Sequence, residues 1–236
     1  MNLILLKDGD FIAPHRARIS GRRLQHIRKV IRPNVGDTLT CGKINGKMGT
    51  AVLESISRQE LELTVTLDRE PPPPLPLTLV LALPRPKMLK RIVAAVTSLG
   101  VKKIYLINSW RVEKSFWDSQ FMDEEKLAHY MELGLEQARD TILPELHIRR
   151  YFTAFVKDEL PGISRDQLKI LAHPKTDEVC PAGLAEPSVL VIGPEGGFID
   201  LEVETLAQVG FNPYTIGPRI LKVETAVTHL ISRLYS

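Results

Sequence analysis

The sequence predicts an α/β protein built from a small β-rich domain and a mostly parallel sheet with helices on both of its faces. A proline run over residues 71–76 separates the two, because each proline ring fixes φ and removes a backbone donor, which favours a stiff extended spacer. Before this run apolar and polar residues alternate at period two, and after it apolar runs alternate with amphipathic stretches. The predicted parts are residues 1–70, a linker at 71–76, and residues 77–236.

In the first domain, short alternating segments predict strands, and the dipeptide Asn45-Gly46 predicts a tight hairpin because both central positions favour φ > 0. One helix is expected over residues 21–31. Several short strands and one helix in a domain of this size indicate a small β-barrel. The predicted strands are residues 37–41, 50–56 and 61–67.

In the second domain, the continuous apolar run at residues 77–83 is typical of a strand buried on both faces. The next helix places its apolar residues on one stripe and ends at Gly100. Asp200 is expected to cap a later helix. The remaining predicted strands are residues 103–107, 168–172, 189–192 and 214–216, and the predicted helices are residues 88–99, 123–139, 200–210 and 223–234.

The composition excludes several classes of protein. Hydrophobic residues make up 44% of the 236 positions and charged residues 25%, which argues against a disordered or fibrous chain. No apolar run approaches the ~20 residues of a membrane helix. Cys41 and Cys180 stand far apart, and no histidines have metal-ligand spacing, so neither a disulfide scaffold nor a metal site is expected. The first residues lack the basic region of a signal peptide, and we expect a cytoplasmic protein.

The positive charge is concentrated in the first domain. Residues 1–70 contain 12 Lys and Arg against 8 Asp and Glu, whereas the rest of the chain contains 19 against 20. Residues 15–32 contain seven Lys or Arg and no acid. Such a stripe is typical of a polyanion-binding surface, although a solvated helix face has the same composition.

Two glycine-containing loops follow predicted strands of the second domain. The segment Gly193-Pro194-Glu195-Gly196-Gly197-Phe198 follows the strand ending at Ile192, and Gly217-Pro218-Arg219 follows the strand ending at Ile216. Ligands of parallel sheets bind beyond the carboxyl ends of the strands, and glycines let a ligand approach the backbone. Neither loop matches a dinucleotide or P-loop pattern. Two sharp turns without a ligand would be the simpler interpretation of either loop alone.

The text "IGPEGGF" followed after one helix by "IGPRILKVETA" resembles the SPOUT class of RNA methyltransferases, specifically the ribosomal RNA small subunit methyltransferase E family, which methylates uridine N3 in 16S rRNA. "LAHP" at 171–174, "SLGV" at 98–101, and "HIRKVIRPNVGDTL" at 26–39 match in the same order. The resemblance implies a deep trefoil knot in the second domain, a PUA-like barrel in the first, a homodimer, and a cofactor, S-adenosyl-L-methionine.

Carried onto this chain, the resemblance implies three cofactor-binding segments. It also implies that the first domain helps to hold RNA, which makes the residues of the basic stripe candidates for contact with it. The implied cofactor residues are Leu171, Ala172, His173, Ile192, Gly193, Pro194, Glu195, Gly196, Gly197, Ile216, Gly217, Ile220 and Leu221. The candidate contacts to 16S rRNA in the small ribosomal subunit are Arg16, Arg18, Arg22, Arg23, His26, Arg28 and Arg139.

Methylation of uridine N3 requires loss of its proton, so cationic donors that stabilise the uridinate are expected near the acceptor. Arg219 and Lys222 are the candidates, with Glu195 as a possible proton acceptor. Salt bridges within the knot or dimer would also explain the two cations, and capping of a helix would explain the acid.

Two departures from the family pattern concern residues near the implied RNA path. Lys222 stands where the family usually has Arg, and Arg139-Asp140 stands where it usually has Gly-Arg. An RNA-binding relative without catalytic activity, or an enzyme acting on another RNA, is the alternative interpretation. Trp110 and Trp117, with Arg111 between them, could stack on unpaired bases or merely hold a loop or a dimer contact.

Overall fold

The computed structural model describes residues 2–235 and divides into two compact units. The first unit contains the residues up to Pro73 together with Glu132–Leu143, and the second contains Pro74–Met131 together with the residues from Pro144 onward. The predicted domain ends at Met1 and Ser236 lie outside the described residues. The boundary between Pro73 and Pro74 falls within the predicted proline linker, whereas residues 132–143 were expected to belong to the second domain.

The first unit holds a six-stranded sheet in the order β1-β4-β5-β6-β3-β2. β1 runs parallel to β4, and every other neighbouring pair is antiparallel. One helix, α1, follows β3 and ends in a π-helical turn. The elements are β1 (Ile4–Leu6), β2 (Phe11–Ala13), β3 (Arg16–Ser20), α1 (Gly21–His26) with the turn Ile27–Ile31, β4 (Thr38–Lys43), β5 (Met48–Ile56) and β6 (Glu60–Arg69).

Burial in this sheet follows the alternation of the sequence. In β3 and through most of β5 and β6, buried residues alternate with more exposed ones, because successive side chains of a strand point to opposite faces. Leu24 and Ile27 of the helical segment pack into the same core. The helix predicted over residues 21–31 is therefore confirmed, and the strands β1, β2 and β3 are additions that their short patterns did not predict.

Residues 132–143 belong to the first unit because their apolar side chains pack there. Leu135 is buried with Leu3, Leu5 and Met48. The backbone N–H of Asn45 donates to the Thr141 carbonyl at 2.8 Å, which fixes the segment against the hairpin after β4. Packing between residues so far apart in the chain leaves no local sequence pattern.

The second unit holds a six-stranded, wholly parallel sheet in the order β12-β10-β11-β7-β8-β9. All six residues of β7 are buried, as the continuous apolar run predicts. The elements are β7 (Leu77–Ala82), α2 (Pro86–Ser98), β8 (Lys103–Ile107), α3 (Lys114–Trp117), α4 (Glu124–Ala138), β9 (Glu145–Arg149), α5 (Phe152–Ala154), α6 (Leu160–Ile163), β10 (Leu168–Ala172), β11 (Ser188–Ile192), α7 (Asp200–Gln208), β12 (Asn212–Tyr214) and α8 (Val223–Tyr235). The residues of α4 from Glu132 onward belong to the first unit.

Three expectations for this unit change. The last strand, predicted at residues 214–216, lies at Asn212–Tyr214, so the loop after it begins at Thr215. The edge strand β9 and the helical segment 152–163 were not predicted, because their apolar residues follow neither period clearly. Asp200 is the first helical residue of α7, and Ile199 precedes the helix. The Ile199 N–H is bound instead by Glu202, whose carboxylate accepts it at 3.0 Å.

Candidate active site

The strand register brings three chain segments together at the carboxyl edge of the parallel sheet. β10 lies between β11 and β12, and Ala172 pairs with Ile192 on one side and with Tyr214 on the other. The loops that begin after these three residues therefore start at the same level of the sheet. A further bond, from the His173 N–H to the Tyr214 carbonyl at 2.9 Å, continues the pairing into the first loop.

The loop after β11 is held by a hydrogen bond within the loop and by a contact with Arg111. The Gly197 N–H donates to the Pro194 carbonyl at 2.8 Å, and Gly197 has φ +73°, a conformation that favours glycine. The Gly196 carbonyl accepts a hydrogen bond from the Arg111 guanidinium. A Cβ added at Gly196 would lie 3.0 Å from Arg111 Cδ, so this position admits a side chain only if Arg111 moves.

Glu195 in the same loop binds the start of a helix. Its Oε1 accepts the backbone N–H of Arg85 at 3.0 Å, and Arg85 is the residue that precedes α2. A carboxylate is favoured here because the N-terminus of a helix presents unpaired N–H groups and a partial positive charge. Glu195, the predicted proton acceptor, therefore already makes a structural hydrogen bond.

The loop after β12 is closed by a threonine. Thr215 Oγ1 donates to the Gly217 carbonyl at 3.0 Å and accepts the Gly217 N–H at 3.3 Å. Gly217 has φ +123°, which only glycine adopts readily. This turn sends the chain through Arg219 and Lys222 into α8.

The three loops and the start of α8 enclose a cavity of about 310 Å³, within the ~300–1,000 Å³ of small-molecule sites. Its walls are mainly apolar side chains and loop backbone, with a few charged groups. It is lined by Ala172, His173, Pro174, Lys175, Ile192, Gly193, Pro194, Glu195, Gly196, Gly197, Phe198, Tyr214, Thr215, Ile216, Arg219, Ile220, Leu221, Val223, Ala226 and Leu230.

Most of the residues that the resemblance implies for the cofactor line this cavity. Leu171 and Gly217 do not: Leu171 is fully buried in β10, and Gly217 shapes the turn beside it. Of the candidate catalytic groups, Arg219 and Glu195 are in the lining and Lys222 is not. Sequence reasoning did not select Phe198, although it ends the quoted "IGPEGGF", nor Tyr214, Thr215 or the first residues of α8.

Among the residues that line the cavity, His173 has a shifted pKa. Partial burial lowers its pKa below the ordinary 6.5, and the nearby Lys175 lowers it further, while Asp200 acts in the opposite direction. The side chain is therefore favoured in its neutral form.

The basic stripe of the first unit is partly neutralised by acids. Arg16 and Arg18 lie on β3, where each guanidinium contacts the Glu62 carboxylate on β6 at 2.7 Å. The hydrogen bond from Arg18 lowers the pKa of Glu62, and the same bond raises the pKa of Arg18. Residues 15–32 contain no acid, but in the folded protein Glu62 of β6 lies beside two of their arginines and offsets part of the positive charge.

Arg23 is committed to a structural contact, since its guanidinium binds the Asp10 carboxylate and the Leu5 carbonyl. The other candidate RNA contacts, Arg22, His26, Arg28 and Arg139, are exposed. Arg139 has φ +56°, the conformation that glycine adopts most readily.

Asp140 is only 3% exposed and accepts the Ile142 N–H at 3.0 Å. The unusual acid therefore shapes a turn rather than adding charge to the surface.

No group of three or more His, Cys, Asp or Glu side chains within residues 2–235 is arranged to hold a metal ion. Over the same residues, no helix has the length and apolar character to cross a membrane. Cys41 and Cys180 are buried free thiols, and burial raises their pKa values to about 12 and about 11, which keeps both thiols protonated.

Comparisons with known proteins identify the family of this chain. The model of the RNA methyltransferase domain family matches residues 71–235. Ribosomal RNA small subunit methyltransferase E of Treponema pallidum is 31% identical over 209 residues, covering 86% of this chain and 79% of its own length.

Two solved structures share the fold over 98% of the chain. A Legionella pneumophila methyltransferase in complex with its cofactor SAM has a TM-score of 0.74 and 25% identity over 95% of its length. Ribosomal RNA small subunit methyltransferase E from Neisseria gonorrhoeae, bound to S-adenosyl methionine, has a TM-score of 0.73 and 20% identity over 96% of its length. The chain belongs to the ribosomal RNA small subunit methyltransferase E family.

Proposed function

We propose that this protein is an S-adenosylmethionine-dependent methyltransferase that modifies N3 of a specific uridine in the 16S rRNA of the small ribosomal subunit. The observation that carries the proposal is the cavity at the carboxyl edge of the parallel sheet, lined by the residues of the two glycine loops. Family membership supports the reaction class, and the cofactor bound by the Legionella pneumophila structure supports the cofactor.

The residues present fit this cofactor. The cavity combines apolar side chains, which suit an adenine ring, with loop backbone that can pair with its polar edge. A Cβ at Gly193 would lie 3.1 Å from Phe198 Cδ2 and 3.2 Å from the Phe198 backbone nitrogen, so glycine lets Phe198 pack against this loop. The cofactor, when bound, supplies a methyl group activated by its positive sulfur, and the protein contributes position and electrostatics.

Arg219 is the group we assign to the methyl acceptor. It lines the cavity, is exposed, and would favour the uridinate by donating to a carbonyl oxygen of the base. Lys222 lies outside the lining, and we assign it a contact with the RNA backbone. Glu195 is assigned a positioning role because its Oε1 already binds the Arg85 N–H.

The proposal also includes the knot, the barrel, the oligomeric state and the RNA contacts. We infer a trefoil knot in the second unit, because the family resemblance of its loops implies one, and a PUA-like barrel in the first. We also infer a cytoplasmic homodimer. The exposed residues Arg22, His26, Arg28 and Arg139 would contact the RNA, with Arg16 and Arg18 contributing where Glu62 leaves donors available.

The reaction is tested by incubating the purified protein with S-adenosylmethionine and small ribosomal subunits from a strain that lacks this gene. Nucleoside mass spectrometry should detect N3-methyluridine in the 16S rRNA only after treatment. Methylation of another nucleotide would reject the substrate, and cofactor binding without any methylation would favour the non-catalytic alternative.

The placement of the cofactor is tested by Gly196→Val. The added side chain would displace Arg111, whose guanidinium binds the Gly196 carbonyl and so holds this loop, and we expect calorimetry to detect weaker binding of S-adenosylmethionine. Gly162→Val is the matched control, since a Cβ at Gly162 has nothing within 4 Å. Undiminished affinity in Gly196→Val would contradict the placement.

A further inference from the structure

Two large aromatic side chains are exposed at the carboxyl edge of the parallel sheet in the second unit. Trp110 is 79% exposed and follows β8, and Tyr151 is 81% exposed and follows β9. The other tryptophan, Trp117, is only 7% exposed. Folding has therefore buried one tryptophan and left the other in solvent, which the sequence could not distinguish.

The residues that carry the two exposed rings follow the ends of neighbouring strands. β8 and β9 are paired up to Ile107 and Arg149, and the next N–H, that of Asn108, donates to the Arg149 carbonyl at 3.0 Å. Trp110 and Tyr151 each follow within two residues of this bond. We call Trp110, Arg111, Arg150 and Tyr151 the aromatic edge.

The backbone of the aromatic edge is fixed although its side chains are exposed. The Trp110 N–H donates to Glu202 Oε1 at 2.8 Å, and Glu202 is only 5% exposed. The Ser109 hydroxyl contacts the other oxygen of the same carboxylate at 3.4 Å. Because folding has already ordered this loop, a ligand that stacks on Trp110 loses less entropy in ordering it.

Arginines place positive charge along the same edge and connect it to the cavity. Arg111 donates to the carbonyl of Gly196, a residue of the cavity lining, and Arg150 lies over the Trp117 ring at 5.3 Å. Arg111 and Arg150 are both exposed, as are the acids Glu113 and Glu195. Lys114 and Arg85 are exposed as well, and so are Asp118 and Asp200, so the cations that the edge itself offers are Arg111 and Arg150.

Planar rings interleaved with arginines match unpaired nucleic acid. Bases stack on aromatic side chains and on guanidinium planes only when they are free of a helix, because A-form RNA keeps its bases paired and stacked. The phosphates of the same strand would complement the arginines. A single strand satisfies both features of the edge, whereas a duplex satisfies only the charge.

We propose that the aromatic edge stacks unpaired bases of the RNA substrate that flank the nucleotide entering the cavity. This inference rests on the proposed function, and it adds that the substrate is recognised as a locally single-stranded segment. Trp110 and Tyr151 are the stacking residues, and Arg111 and Arg150 contact the adjoining backbone.

The test compares Trp110→Ala and Tyr151→Ala with Trp110→Phe and Tyr151→Phe, using fluorescence anisotropy with a labelled oligouridylate of about 12 nucleotides and a duplex of equal length. Each alanine variant should bind the single strand about tenfold more weakly, since stacking contributes ~1–3 kcal/mol per base. The phenylalanine variants should stay within about threefold of the parent, and duplex affinity should not change.

Tryptophan emission gives a second measurement that does not depend on the alanine variants folding. The oligouridylate should quench the emission of the parent protein, and Trp110→Phe should abolish this quenching because Trp117 is buried. Quenching that persists in Trp110→Phe would overturn the inference. So would alanine variants that dissociate a dimer while keeping full affinity for the oligouridylate, since the edge would then be a subunit contact.

Calorimetry with S-adenosylmethionine separates this inference from the proposed function. If the parent protein binds the cofactor and the alanine variants keep their affinity for the single strand, only the role of the aromatic edge is rejected. If the parent protein does not bind the cofactor, the proposed function is rejected.

Discussion

The role of Glu195 can be tested by comparing Glu195→Gln with Glu195→Ala. Glutamine keeps an oxygen that can accept the Arg85 N–H, which lies 3.0 Å from Glu195 Oε1, but it removes the negative charge and the basicity. Alanine removes the acceptor as well. The two substitutions therefore separate positioning of the loop from acceptance of a proton.

The expected magnitudes follow from this hydrogen bond. A bond to a charged acceptor contributes ~1.5–3 kcal/mol and a neutral one ~0.5–1.5 kcal/mol. Glu195 is exposed, so water replaces part of any loss and the lower values apply. Glu195→Ala should then weaken cofactor binding by roughly tenfold, and Glu195→Gln by no more than about fivefold.

Calorimetry with S-adenosylmethionine and the methylation rate at saturating cofactor provide the measurements. A positioning residue changes the dissociation constant and leaves kcat close to that of the parent in both variants. Loss of a general base would lower kcat by about 10²–10⁴-fold in Glu195→Gln, and that result would refute the assignment. Glu204→Gln, the same charge change at an exposed site on α7, is the control.

Three further predictions concern stability and pH. Thr97 is buried on α2, and within the described residues its hydroxyl has no hydrogen-bond partner. Thr97→Val should therefore raise the free energy of unfolding by about 1 kcal/mol. A lower urea midpoint would contradict this. Glu202→Ala should lower the free energy of unfolding by about 3 kcal/mol, because the N–H groups of Ile199 and Trp110 lose a shared acceptor. A change below about 1 kcal/mol would show that water replaces the lost carboxylate. The lowered pKa of His173 means that the unfolded chain binds more protons below pH 6.5. Stability should therefore fall as the pH drops through 6.5 and level off below the pKa of the folded state, and His173→Gln should flatten this part of the urea-midpoint profile.

The local patterns of the chain predicted its most regular elements. The apolar run at 77–83 became the fully buried β7, and the alternation at 50–56 and 61–67 became β5 and β6. β1 and β2 were missed because three residues cannot establish a period.

The glycine loops were likewise visible in the sequence, because their residue types are required locally. Gly197 and Gly217 adopt positive φ, and Gly193 and Gly196 lie where a side chain would approach a neighbour. Lys222 was selected with Arg219 by proximity in the chain, but only Arg219 lines the cavity. Both residues lie in the loop before α8, and packing of that loop, not chain proximity, decides which side chain lines the cavity.

The sequence by itself determined the family, the α/β class and the two loops that carry the site, since each depends on residue types at short spacing. Tertiary structure decided which charges remain available: Arg18 is paired with Glu62, 44 residues away, and Glu195 with the start of α2, 110 residues away. It also decided that Trp110 is exposed and Trp117 buried. Charge pairing and burial depend on residues that are distant in the chain and that the sheets bring together. No periodic sequence pattern predicts such contacts.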